Sequence, residues 1–210
     1  INKKEELTKF YKEVNKYKLN KLISLDETSI SPAMIAEYSR CDSGKRCIIK
    51  TDDSFFFHKF TLLVAIKNTK CIGWILYEKG GMTKERLVEF MNTFIFNKYK
   101  NHLIILDNAG SHKNNFVKDA ITNSGNKYLF SVPYTPKTNA IENMFNQLKH
   151  YLKLNKKVLK FNEIKREIKK AFTKIKKYHY KNYFLYAYDK DKLNLQKNNT
   201  RKKKSKIYKE

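Results

Sequence analysis

"HLIILDNAGSHKN", residues 102–114, runs four aliphatic side chains straight into an aspartate. Leu103 to Leu106 form a short, continuous apolar run, the pattern of a strand covered on both faces. Asn108, Gly110 and Ser111 then open a polar loop. A carboxylate ending such a strand has two readings. Asp107 either hydrogen-bonds its own loop as an Asx turn, or it belongs to a site at the carboxyl edge of an open sheet.

Working outward, the same logic finds a second strand of this kind. "KLISLDE" (21–27) is apolar and ends at Asp26. Between the two, "FHKFTLLVAI" (57–66) and "CIGWILYE" (71–78) flank a polar turn and predict a hairpin. "KYLFSV" (127–132) predicts a fifth strand. Helical periodicity predicts helices over 4–18, from Thr83, over 113–123, from Asn139, and over 161–180. Thr83 suits an N-cap. Three strands in a meander followed by strands joined through helices predict an α/β fold: a mixed five-stranded sheet with helices on both faces. One domain over 1–188, with a leading helix in 1–20, accounts for the pattern, and 189–210 reads as a loose basic tail.

The net charge of +25 points to a polyanionic partner, most simply nucleic acid. Lysine outnumbers arginine 40 to 5, a bias that AT-rich coding produces by itself, yet the excess exceeds that bias. No apolar run reaches membrane-spanning length, and the first residues lack a signal-peptide core. Cys41, Cys47 and Cys71 lack metal-type pairing and read as free thiols in a reducing compartment.

Three carboxylates stand out: Asp26, Asp107 and Glu142. If their strands are neighbours, Asp26 and Asp107 project side by side and repel each other. A hard divalent cation, Mg²⁺ or Mn²⁺, relieves that repulsion. Asp26 competes with a turn-capping role, and with Glu27, which strand alternation sends to the opposite face. Asn139 and Glu142 are spaced as a capping box, so Glu142 reads equally as cap or ligand. His112 can touch phosphate or move a proton. Asn108 and Asn143 each follow a candidate ligand.

"LISLDETS", "LIILDNAGSHKN" and "VPYTPKTNAIENMFNQLKHYLK" together resemble the catalytic domain of mariner-type transposases and related bacterial insertion sequences. These belong to the DDE/D transposases and integrases, which have a ribonuclease H-like fold. The likeness runs from about residue 10 to 188. Thirty-four residues separate Asp107 from Glu142, as in the glutamate-bearing branch. Ala140 stands where the family has proline and Thr135 where it has serine. By this resemblance Asp26, Asp107 and Glu142 are the catalytic ligands of two Mg²⁺ or Mn²⁺ ions. Asp26 with Asp107 would hold one, and Asp26 with Glu142 the other. The implied activity is strand cleavage at transposon ends, followed by transfer of the 3′-OH into target DNA.

The implied partners are double-stranded DNA and a second copy in a dimer on DNA, inside the cell with no membrane. His112, Asn143 and Lys149 are expected to contact nucleic acid, Asn108 to support a ligand, and Lys153 to belong to a solvated face. The family's helix-turn-helix region is expected upstream, on a separate chain, or lost. "RKKKSK" (201–206) suits a nuclear signal. Two rival classes remain: a ribonuclease H-like nuclease that does not transpose, and a truncated or domesticated DNA-binding remnant. The intact acidic trio argues against the second.

Overall fold

The computed structural model describes residues 3–31, 42–45, 59–153 and 160–189. Five strands form one sheet: β1 (Leu22–Ile30), β2 (Phe60–Lys67), β3 (Lys70–Tyr77), β4 (Leu103–Leu106) and β5 (Lys127–Phe130). Their order is β3-β2-β1-β4-β5. β1, β2 and β3 pair antiparallel, as the expected meander, whereas β4 lies parallel to both β1 and β5. The sheet is therefore mixed, as its mixture of hairpin and helical connections predicts.

Helices cover both faces. On one face lie α1 (Lys3–Val14), α4 (Ala140–Lys153), α5 (Phe161–Lys174) and α6 (Lys177–Tyr188). They bury Phe10, Ile141, Phe145, Leu148, Ile168 and Phe184 against Leu22, Leu62, Val64 and Ile105. On the other lie α2 (Lys84–Met91), with a wider turn at 92–96, and α3 (Asn115–Asn123). These bury Leu87, Phe90, Ile95, Val117 and Ile121 against Ile23, Leu25, Leu63 and Ile104. Alternation along β1 and β4 thus sorts even and odd positions between two cores.

Local signals explain two helix starts. Thr83 caps α2 by accepting from the Arg86 N–H at 3.3 Å, and Asn114 caps α3 by accepting from the Phe116 N–H at 2.9 Å. Gly73 is required by contact: a Cβ there would meet the Phe94 ring at 2.3 Å.

Two expectations fail. The strand read as ending at Asp26 runs on to Ile30, held by antiparallel pairing with β2, so Asp26 sits in mid-strand beside the point where the shorter β4 stops. The helix read over 161–180 is two helices, broken at Ile175, whose ψ of 107° is extended. Ile175 stays in the core, as its helical stripe predicted, but the chain turns there. That turn lets Tyr180, Tyr183, Phe184 and Tyr188 of α6 pack inward. The Tyr11 hydroxyl of α1 donates to the Ala187 carbonyl at 3.2 Å, tying the first helix to the last described one. Cys71 is a free thiol pushed up to about 12 by burial. Cys41, Cys47, the Lys153 side chain and the tail beyond 189 lie outside the described residues.

Candidate active site

The site follows from strand register. β1 and β4 run side by side with Ser24 opposite Ile105. Two residues further along stand Asp26, within β1, and Asp107, the first residue past β4, with the parity of Leu22 and Leu103. Both aspartates therefore address the face covered by α4, the helix that carries Glu142 in its first turn. All three pairs of these carboxylates interact electrostatically.

Asp26 is 5% exposed and held at both oxygens. Oδ1 accepts from the Glu27 N–H at 2.8 Å, and Oδ2 accepts from the Asn139 side-chain amide, also at 2.8 Å. Among the described residues no cation balances it: burial, then Asp107 and Glu27, and to a smaller extent Glu142, push it up to about 8 against the pull of the Glu27 N–H. Glu142, half-buried, is raised by burial and by Asp107, and lowered by Lys149.

Asp107 is the opposite case. Burial raises it, but the His112 ring, the Ala109 N–H at 3.0 Å and Lys113 outweigh burial and bring it below the usual carboxylate range. Its Oδ1 takes both hydrogen bonds, one from His112 Nδ1 and one from Ala109. The Asx turn read from the sequence is thus present together with a convergent carboxylate, so the two readings coexist.

Glu142 is not a cap. The capping box would have joined it to Asn139, but the Asn139 side chain turns to β1, accepting from Ser24 Oγ while donating to Asp26. The first amides of α4 are met elsewhere: Ile141 N–H donates to Ser24 Oγ at 3.2 Å, and Ala140 N–H to the Tyr188 hydroxyl at 3.2 Å.

His112, expected to contact nucleic acid, is 0% exposed and has no surface to offer a phosphate. Its ring lies between Asp107 and Glu27, with Nε2 3.1 Å from Glu27 Oε2, an ion-pair distance without hydrogen-bond alignment. The two carboxylates outweigh the cost of burial and raise it to about 10. Asn108 donates to the Ser131 carbonyl, fastening the loop after β4 to the end of β5. Asn143 and Lys149 sit partly exposed on α4.

Sequence reasoning missed Asn139 as the partner of Asp26, and the pairing of Glu27 with His112. The signal was present only as residue types inside the three motifs; the partners of Asn139 lie more than a hundred positions away.

The residues fit a hard cation. Asp26, Asp107 and Glu142 offer oxygen donors on one face and near enough to interact, a cation would relieve the mutual repulsion that keeps the Asp26 proton on, and Glu142 takes no part in capping. As they stand, no three His, Cys, Asp or Glu side chains among the described residues are gathered tightly enough to grip an ion, and Asp107 is turned onto His112.

The sequence profile described as DDE superfamily endonuclease matches residues 21–165, which span all three carboxylates. The chain belongs to this family. This DDE-superfamily chain also superposes on solved structures of Mos1. The Mos1 Strand Transfer Complex matches with a TM-score of 0.71 at 17% identity, over 87% of this chain and 56% of that one. The Mos1 transposase paired-end complex with left transposon end gives 0.70 at 20% identity over the same shares. The Mos1 catalytic domain with Raltegravir and Mn gives 0.66 at 15%, over 87% of this chain and 85% of that one. At these identities the likeness establishes the fold, which is ribonuclease H-like, as the three motifs implied. The chain spans little more than half of the longer Mos1 chains. No functionally curated protein matches the sequence. No described helix is long and apolar enough to cross a membrane.

Proposed function

We propose that this DDE-superfamily chain is a transposase catalytic domain that cleaves DNA at transposon ends and transfers the freed 3′-OH into target DNA. One observation supports the reading: Asp26, midway along β1, and Asp107, just past the end of the neighbouring parallel β4, address the face where α4 presents Glu142. The domain is read as 1–188 followed by a basic tail, acting inside the cell, on DNA, as a dimer.

Asp26, Asp107 and Glu142 would hold two Mg²⁺ or Mn²⁺ ions, Asp26 serving both. Bound there, the ions supply activation of the attacking oxygen and stabilisation of the leaving 3′ oxygen. Mos1 supports the choice of metal, since its paired-end complexes were solved with Mn and with Mg. The protein's own part is positional. Asn139 fixes the Asp26 carboxylate in the α4 direction. Lys149 and Asn143 offer a cation and an amide on the same helix for phosphate oxygens.

The decisive experiment compares wild type with Asp107→Asn on end-bearing DNA with Mg²⁺ or Mn²⁺. Wild type should nick and join, while the variant should stay folded and inert; equal nicking by both refutes the proposal. Nicking without joined products would instead favour a ribonuclease H-like nuclease.

A further inference from the structure

Glu27 and His112 have no part in the trio, yet they meet beside it. Glu27 follows Asp26 on β1 and, by alternation, faces the α2/α3 side of the sheet with Leu25. His112 comes from the loop after β4 and is fully buried. Its Nδ1 donates to Asp107 Oδ1, and its Nε2 stands 3.1 Å from Glu27 Oε2. Nε2 and Oε2 are both buried, and among the described residues neither has another polar partner. Each is the other's compensation for lost water.

The geometry points to a Glu27–His112 latch that positions Asp107 by tying the loop after β4 to β1, the strand bearing Asp26. The latch rests on the proposed role of Asp107 as a metal ligand. Two donors, His112 Nδ1 and the Ala109 N–H, hold Oδ1, while Oδ2 accepts no hydrogen bond from a described residue. The carboxylate is therefore fixed at one oxygen, with the other left for a cation. An unfixed aspartate at a strand end samples several rotamers, and binding a metal must then select one. Orienting partners of ligating carboxylates typically carry roughly 10–100-fold in metal affinity. Glu27 acts one step further out, by setting which way the imidazole faces. Glu27 and His112 are positioning residues and touch neither metal nor DNA.

The test uses the full chain and Mn²⁺ alone, with free Mn²⁺ measured by electron paramagnetic resonance and nicking rates measured in parallel. His112→Ala should weaken Mn²⁺ binding about 10–100-fold, and Glu27→Gln by about tenfold. His112→Asn, whose side-chain amide can replace Nδ1 as donor to Asp107 but does not reach Glu27, should recover affinity only to about the Glu27→Gln level. Thermal melting in EDTA checks folding, and Glu27→Gln is the variant least disturbing to packing. Wild-type Mn²⁺ affinity in both His112→Ala and Glu27→Gln overturns the latch. So does equal loss in His112→Ala and His112→Asn with Glu27→Gln unchanged, which would identify packing alone. Asp107→Asn separates the two claims: if it loses Mn²⁺ while the latch variants keep it, only the latch fails. If wild type binds no Mn²⁺, the functional reading fails as well.

Discussion

The middle of β1 and the residue that follows β4 carry the same side chain on the same face under opposite electrostatics. Asp26 is oriented by a neutral amide and a backbone N–H, and its ionisable neighbours are carboxylates, so its proton is held up to about 8. Asp107 has an imidazole against it and ionises more readily than usual. A carboxylate therefore takes its character from what the fold places beside it. At one site, this difference leaves one aspartate short of a cation and the other already supplied with one.

The sharpest way to break the comparison is to remove each charge in turn. Asp26→Asn and Asp107→Asn should each reduce metal-dependent nicking to background, measured on supercoiled plasmid with Mn²⁺. Retained activity in either would mean that the two aspartates are not one site.

Next comes Asn139, whose amide belongs only to the Asp26 side. Asn139→Ala strips Asp26 Oδ2 and Ser24 of buried partners and should cost about 1–3 kcal/mol in urea unfolding, with weaker Mn²⁺ binding. An unchanged unfolding midpoint would show that water replaces the amide.

A pH series without metal sharpens the contrast further. The folded pKa of Asp26 is raised from 3.8 to about 8, so the stability it contributes is complete below about 4 and lost as pH rises through about 8. Asp107 is lowered, so its contribution is present above its ordinary value and lost as pH falls through the folded one. In EDTA, melting temperature should fall as pH rises from about 4 to 8, and Asp26→Asn should flatten that limb below about 6.5; above 6.5, His112, raised to about 10, adds a fall of the same sign that the variant keeps. Mn²⁺ should flatten it in wild type. A limb unchanged by Asp26→Asn would place the titration elsewhere.

The smallest effect concerns Lys149, which lowers Glu142 beside the pair. Lys149→Ala should weaken DNA binding evenly across sequences and reduce the salt slope by about 1, read from titrations at several salt concentrations. An unchanged slope would remove it from the DNA face.

Much of the fold was legible because its signals are local. Apolar runs of strand length, a 3.6-residue stripe in α4, and the cap residue Thr83 each act within a few positions. The break at Ile175 was not legible: the stripe of apolar residues continues through it, and only the packing of α6 requires the turn. At the site, the three acids could be picked out by type and spacing, but their surroundings could not. Asn139 resembled a cap because the local pattern of a capping box is complete; a strand 113 residues away takes its side chain instead. His112 resembled a surface histidine because its loop is polar, yet two carboxylates from different strands enclose it.

The α/β class, the aspartate that follows β4 and the helix that carries Glu142 are legible in the chain, because periodicity and spacing are local properties, whereas the continuation of β1 past Asp26 depends on its pairing with β2. Only the tertiary structure decided which carboxylates share a face, which one is paired, and which helix amides are met by β1 and α6. Those outcomes depend on register between strands that are remote in sequence, where a shift of one residue would exchange the two faces.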